Sequence, residues 1–213
     1  MKKARFSIGI LFFICGLNFA TWATRIPDFK SFLDLSDAQL GTVLMGLPIG
    51  SLVSLPIAGW LLTKYASRWI CLMAIAMYVI VIPGLSLMSS SITLFVGLFF
   101  FGMAGDIMNI AMNTQVVSLE AKMNKIIMSS FHAVFSIGLL AGAFLGGILE
   151  KEHFTTTEHF SLVALSNIVL IPFSLPNLLT DKPLQDESKP KSSILNLIHY
   201  IINRTLFDFF GIL

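Results

Sequence analysis

Apolar residues fall into six long runs, at about 6–24, 38–62, 69–88, 91–113, 129–149 and 159–179. Each is near the roughly 20 residues an α-helix needs to cross a bilayer. A seventh, weaker run at about 194–213 holds His199, Arg204 and Asp208. Polar residues cluster between the runs, and the stretch 181–193 is charged and Pro-containing. The pattern predicts an all-α polytopic membrane protein. Its parts are a six-helix bundle over 1–180, a cytoplasmic linker over 181–193 and a partial seventh helix over 194–213. A cleaved signal peptide is the minor reading of the first run, with Lys2, Lys3 and Arg5 as its basic start. The run is long, and the pattern continues after it.

Polar residues inside the runs are the informative exceptions. In the fourth run, Gly102, Asp106, Asn109 and Asn113 lie within about 60° on one helical face at about 100° per residue. An ionisable group at that depth rarely faces lipid. A carboxyl in a low-dielectric interior favours its neutral form, which suits a reversible proton site. Asp106 therefore reads as a proton, cation or polar-substrate site, against a purely packing hydrogen bond. Asn109 and Asn113 offer donors and acceptors to a hydroxylated ligand or to neighbouring helices.

The first run repeats the pattern more weakly. Asn18, Thr21, Trp22 and Arg25 share a face about 100° wide. Trp22 is read as an interfacial belt tryptophan or as a platform for a sugar ring. Arg25 is placed at the membrane edge, paired with Asp28 or lipid phosphate. In the fifth run His132 and Ser136 are four apart and share a face. His132 is either a titratable cavity residue or a structural histidine.

Small residues recur every four positions: Gly46 and Gly50 in the second run, Gly138, Gly142 and Gly146 in the fifth. Such stripes predict close helix packing. Pro48 and Pro56 either kink the second helix or are tolerated there.

Composition fits this picture. The chain is 55% hydrophobic and 12% charged, with a mean hydropathy of +0.83; soluble domains hold about 25% charged residues. A net charge of +2 gives no nucleic-acid footprint. Cys15 and Cys71 lie inside apolar runs without metal-ligand spacing, so no metal, cofactor or disulfide framework is expected. Enzyme signatures are missing: no GxSxG, HExxH or phosphate loop. With a cytoplasmic N-terminus, ten Lys and Arg lie in inside segments and three, Arg25, Lys30 and Lys151, in outside loops. That bias sets the predicted orientation.

The stretches GLNFATWATRIPDFK, GDIMNIAMNTQVVSLE and MSSFHAVFSIGLLAGAFLGG together resemble the major facilitator superfamily, specifically its fucose-permease-like sugar branch. The resemblance covers roughly residues 6–180. It implies two three-helix repeats forming the N-terminal half of a transporter, in a bacterial inner membrane. It also implies proton-coupled alternating access for a small polar solute such as a sugar. Asp106, Asn109, Asn113, Asn18, Trp22 and His132 would then line the cavity. The family's conformational loop motif matches here at Gly59, Lys64 and Arg68. Its Asp is Thr63 and its Gly is Ala66, which weakens the loop's charge relay. Family transporters place the substrate between two halves, so a chain of this length is expected to be truncated. The expected partners are a small solute, protons, membrane lipid, and a missing second half or another copy. A nonfunctional fragment, an oligomerising half-transporter and a membrane scaffold without transport are the alternatives.

Overall fold

The structure is a computed structural model that describes residues 1–181. The expected linker beyond Asp181 and the partial seventh helix lie outside the described residues. Eight α-helices and one short 3-10 turn account for the described chain. They are α1 (Lys2–Thr24), α2 (Ile26–Phe32), α3 (Asp37–Leu44), α4 (Gly46–Lys64), α5 (Ser67–Leu85), α6 (Ser91–Met123), α7 (Met128–Lys151) and α8 (Thr156–Ser174). They form six stretches long and apolar enough to cross a membrane, because α1 with α2 and α3 with α4 each run on as one.

Both breaks have proline causes. Pro27 sits in the first turn of α2, where its missing N–H costs nothing and its fixed φ favours a new start. Pro48 cannot donate back to Leu44, so the ladder is interrupted at Met45. Pro56 is tolerated inside α4. Capping boxes at Ser36/Gln39, Ser90/Thr93 and Thr155/Glu158 start α3, α6 and α8. Asn124 ends α6 in the left-handed conformation, at φ 50°.

The main pairings are α1 along α7 and α4 along α6, with α5 against α6 and α8. Counted as spans, the first helix of each three-helix unit packs on the second helix of the other. The glycine stripes make this possible. A Cβ at Gly138 or Gly142 would collide with the α1 backbone at Phe13 or Leu17. A Cβ at Gly46 or Gly50 would collide with α6 carbonyls at Phe95 or Phe99. Backbones this close gain dispersion contacts that lipid cannot supply.

Buried polar groups tie the ends. At the end holding the start of α1, Ser67 donates to Asp181 through N–H (3.1 Å) and Oγ (2.6 Å). Gln115 on α6 donates to Ser67 Oγ and the Leu179 carbonyl, and accepts from Leu179 N–H. The Glu120 carboxylate accepts from the N–H groups of Ile127 and Met128, and so caps α7. At the other end Arg25 is 3% exposed. It donates to Asp28 (2.8 Å), His159 Nδ1 (3.0 Å) and the Phe154 carbonyl (3.1 Å). It is an internal clamp between α2 and α8 rather than a lipid-phosphate residue.

Candidate functional site

The face of α6 that carries Asp106 opens on a cavity of about 310 Å³. Its walls come from α1, α4, α5, α6 and α7. Asp106 and Asn109 point into it, with Ser51 of α4, Tyr78 of α5 and His132 of α7. Phe19, Phe101 and Phe135 supply aromatic surface. The volume sits at the small end of ligand pockets, about 300–1,000 Å³.

Asp106 is half-buried and has one side-chain partner among the described residues. The Ser54 hydroxyl lies 2.7 Å from its Oδ2 and 2.7 Å from the Ser51 carbonyl. A hydroxyl holds one proton and can accept another. With Asp106 ionised, Ser54 donates to the carboxylate. With Asp106 protonated, the acid donates to Ser54, whose proton turns to the Ser51 carbonyl. The triad satisfies both protonation states without moving a helix.

Asn109 lines the cavity and accepts from Asn113 Nδ2 at 3.0 Å. Asn113 is not among the lining residues; its buried Oδ1 has no partner among the described residues. Gly102 serves two purposes. It borders the cavity, and it lets the Leu47 carbonyl of α4 approach α6. His132 is exposed at the cavity wall, edge-on to Phe12 at 5.5 Å.

Besides Asn113, two more expected cavity residues lie elsewhere. Trp22 is 3% exposed and packs on Phe29 at 5.3 Å and Phe101 at 6.4 Å. It is neither an interfacial belt residue nor a free stacking platform, because Phe29, two turns further along, and Phe101 of α6 cover it. Asn18 is fully buried and exchanges amide hydrogen bonds with Asn167 of α8, at 2.8 and 3.2 Å. This pair joins two helices and leaves no group for a solute.

Ser54, Ser51 and Tyr78 were not singled out from the sequence. Ser54 did carry a signal: it continues the Gly46, Gly50 stripe at four-residue spacing, the face of α4 that meets α6. Cys15 also lines the cavity, with its sulfur 3.8 Å from the Tyr78 hydroxyl. Both cysteines are buried and free. No cluster of His, Cys, Asp and Glu able to hold a metal occurs among the described residues.

The loop residues lie apart from the cavity. Gly59 is exposed, with open space around it. Lys64 lies over the Trp60 ring at 4.9 Å. Arg68 donates to Thr180 Oγ1 at 3.1 Å, beside the Ser67–Asp181 contacts. A carboxylate therefore does meet this loop, from Asp181 and not from the position of Thr63.

Comparison with known proteins places the fold. The chain is 39% identical over 142 residues to an uncharacterized MFS-type transporter of Yersinia pestis, covering 67% of this chain and 36% of that protein. It is 28% identical over 176 residues to the membrane protein MosC of Rhizobium meliloti, covering 82% and 42%. The nucleoside transporter NupG superposes with a TM-score of 0.70 at 17% identity, over 99% of this chain and 53% of that one. A mutant of the same transporter gives 0.72 at 13% identity, over 96% and 52%. The matched stretch thus spans less than half the length of the two curated relatives and about half of the nucleoside transporter. The Major Facilitator Superfamily profile matches residues 8–212. These helices, with a carboxylate-bearing cavity on one face, belong to a member of the Major Facilitator Superfamily, a family of membrane transporters and not of enzymes.

Proposed function

We propose that this chain forms one wall of a proton-coupled transporter for a small polar solute, with a sugar as the favoured class. The observation that carries the reading is the Ser51–Ser54–Asp106 triad at the cavity wall. Asp106 takes up a proton from one side and releases it to the other as its solvation changes. Ser54 re-aims its single proton and keeps the carboxyl partnered in either state. Asn109 and His132 supply the directional hydrogen bonds that a hydroxylated solute requires. Asn113 orients the Asn109 amide.

Alternating access rocks one half against another around a central site. The opposite wall is a second six-helix unit, either further polypeptide or another copy. The Gly59, Lys64 and Arg68 loop, together with Asp181, takes the part of the conformational latch. The N-terminus lies in the cytoplasm of a bacterial inner membrane, in line with the bias of Lys and Arg.

A second reading, a nucleoside, is favoured by the aromatic share of the lining at Phe19, Phe101 and Phe135. A flat base would stack on these rings. The likeness to the nucleoside transporter is one of fold and does not choose between the two.

The test is uptake of a panel of sugars and nucleosides into proteoliposomes under an imposed proton gradient. The chain is reconstituted alone and with a second six-helix half. Gradient-driven uptake with the second half, lost in Asp106→Asn while solute binding persists, supports the reading. Full gradient-driven uptake in Asp106→Asn rejects it.

A further inference from the structure

A second concavity, of about 510 Å³, lies on the opposite side of α1 from Asp106's neighbours, between α1, the start of α7 and α8. Its interior is apolar, with Phe6, Ile10, Phe13, Phe131, Val134 and Leu170. Its mouth is basic. Lys2 and Arg5 border it, and Arg5 donates to Ser130 Oγ at 3.2 Å across the groove. No carboxylate is among its lining residues. The first turn of α1 holds no acidic residue and has no side-chain cap. A smaller concavity shares Lys2 and Phe6 and adds Lys3, Pro172 and Phe173. Phe6, 66% exposed, stands as a partition between the two.

A basic mouth over a greasy slot is not what a polar solute needs. It matches an amphiphile with an anionic head, and the helices that frame it are long and apolar enough to stand in a bilayer. Arg forks bind phosphate oxygens directionally, and Lys adds point charge. The free N–H groups of an uncapped first turn favour the same charge. We propose that this groove is a binding site for one anionic phospholipid. Its phosphate sits on Arg5, Lys2 and Lys3. One acyl chain lies in the slot between α1 and α7, and the other passes Phe6 on the side of Pro172 and Phe173. The site holds the start of α1 to α7, the pair whose glycine contacts build the cavity wall.

Gly9 offers a clean probe. It lines the groove, and a Cβ there meets nothing within 4 Å. The Cβ of a larger side chain therefore meets no neighbour, and the rest of the side chain projects into the slot.

The experiment is native mass spectrometry of the purified 213-residue chain, titrated with phosphatidylglycerol or phosphatidylcholine of equal chain length. Helicity by circular dichroism confirms that each variant is folded. Phosphatidylglycerol is expected to bind about thirtyfold more tightly, the scale of two basic groups near an anionic head. Lys2→Gln with Arg5→Gln abolishes that preference. Gly9→Trp weakens both lipids, because it occupies the chain slot. Lys122→Gln with Lys125→Gln, exposed charges that do not line the groove, changes neither. Glycerol 3-phosphate at millimolar concentration fails to displace the lipid. Equal affinity for the two lipids, an equal loss in the Lys122/Lys125 variant, binding unchanged in folded Gly9→Trp, or displacement by glycerol 3-phosphate would each overturn the proposal.

Discussion

The Ser54 hydroxyl on α4 stands 2.7 Å from the Asp106 carboxylate on α6. The contact spans the helix pair brought together by Gly46, Gly50 and Gly102. A stripe of small residues thus places a hydroxyl against the carboxyl that lines the cavity.

That relationship predicts a graded series at the site. Asp106→Asn keeps the shape, removes the carboxyl and is expected to abolish gradient-driven uptake. Ser54→Ala removes the partner of both protonation states and slows coupled uptake. Ser54→Thr retains the hydroxyl and most of the rate. Uptake under an imposed pH gradient, measured beside equilibrium solute binding, checks the order. Equal rates in Ser54→Ala and the wild type would remove Ser54 from the mechanism.

The glycine contacts predict a sharp contrast along α7. Gly138→Leu forces a side chain against the α1 backbone at Phe13 and destabilises the fold by about 1–3 kcal/mol. Gly147→Leu meets open space and stays within about 0.5 kcal/mol of wild type. Thermal unfolding in detergent, followed by circular dichroism, compares the two.

The Asn18–Asn167 pair predicts non-additivity. Asn18→Leu alone leaves a buried amide unpartnered and costs about 0.5–2 kcal/mol. Adding Asn167→Leu recovers part of the loss, because both polar groups are then gone. The same unfolding measurement on the two singles and the double checks the cycle. Strictly additive losses would mean that the amides act separately.

The orientation predicts opposite compartments for two connections. Reporter fusions after Lys30 and after Lys125 should give extracytoplasmic and cytoplasmic signals respectively. The structure places three candidate spans between these points. Identical signals would reject the six-span arrangement.

The periodicity and length of the apolar runs were enough for six spanning helices, because a backbone in lipid must satisfy its hydrogen bonds within each segment. The one-sided placement of Asp106 and Asn109 was equally legible, since 3.6-residue geometry puts both on one face whatever surrounds them. The stripes at Gly46, Gly50, Gly138 and Gly142 announced close contact but not the partner. Only the packed bundle decided that α7 meets α1 and α4 meets α6. For the same reason Trp22 and Asn18 were misplaced. The groups that cover their face include Phe101 of α6 and Asn167 of α8, which come from other helices. Arg25 found His159, and Ser67 found Asp181, across more than a hundred residues. A helical face is a local property of the chain. Its neighbour is a property of the fold, and the neighbour determines whether a polar residue serves a solute or another helix.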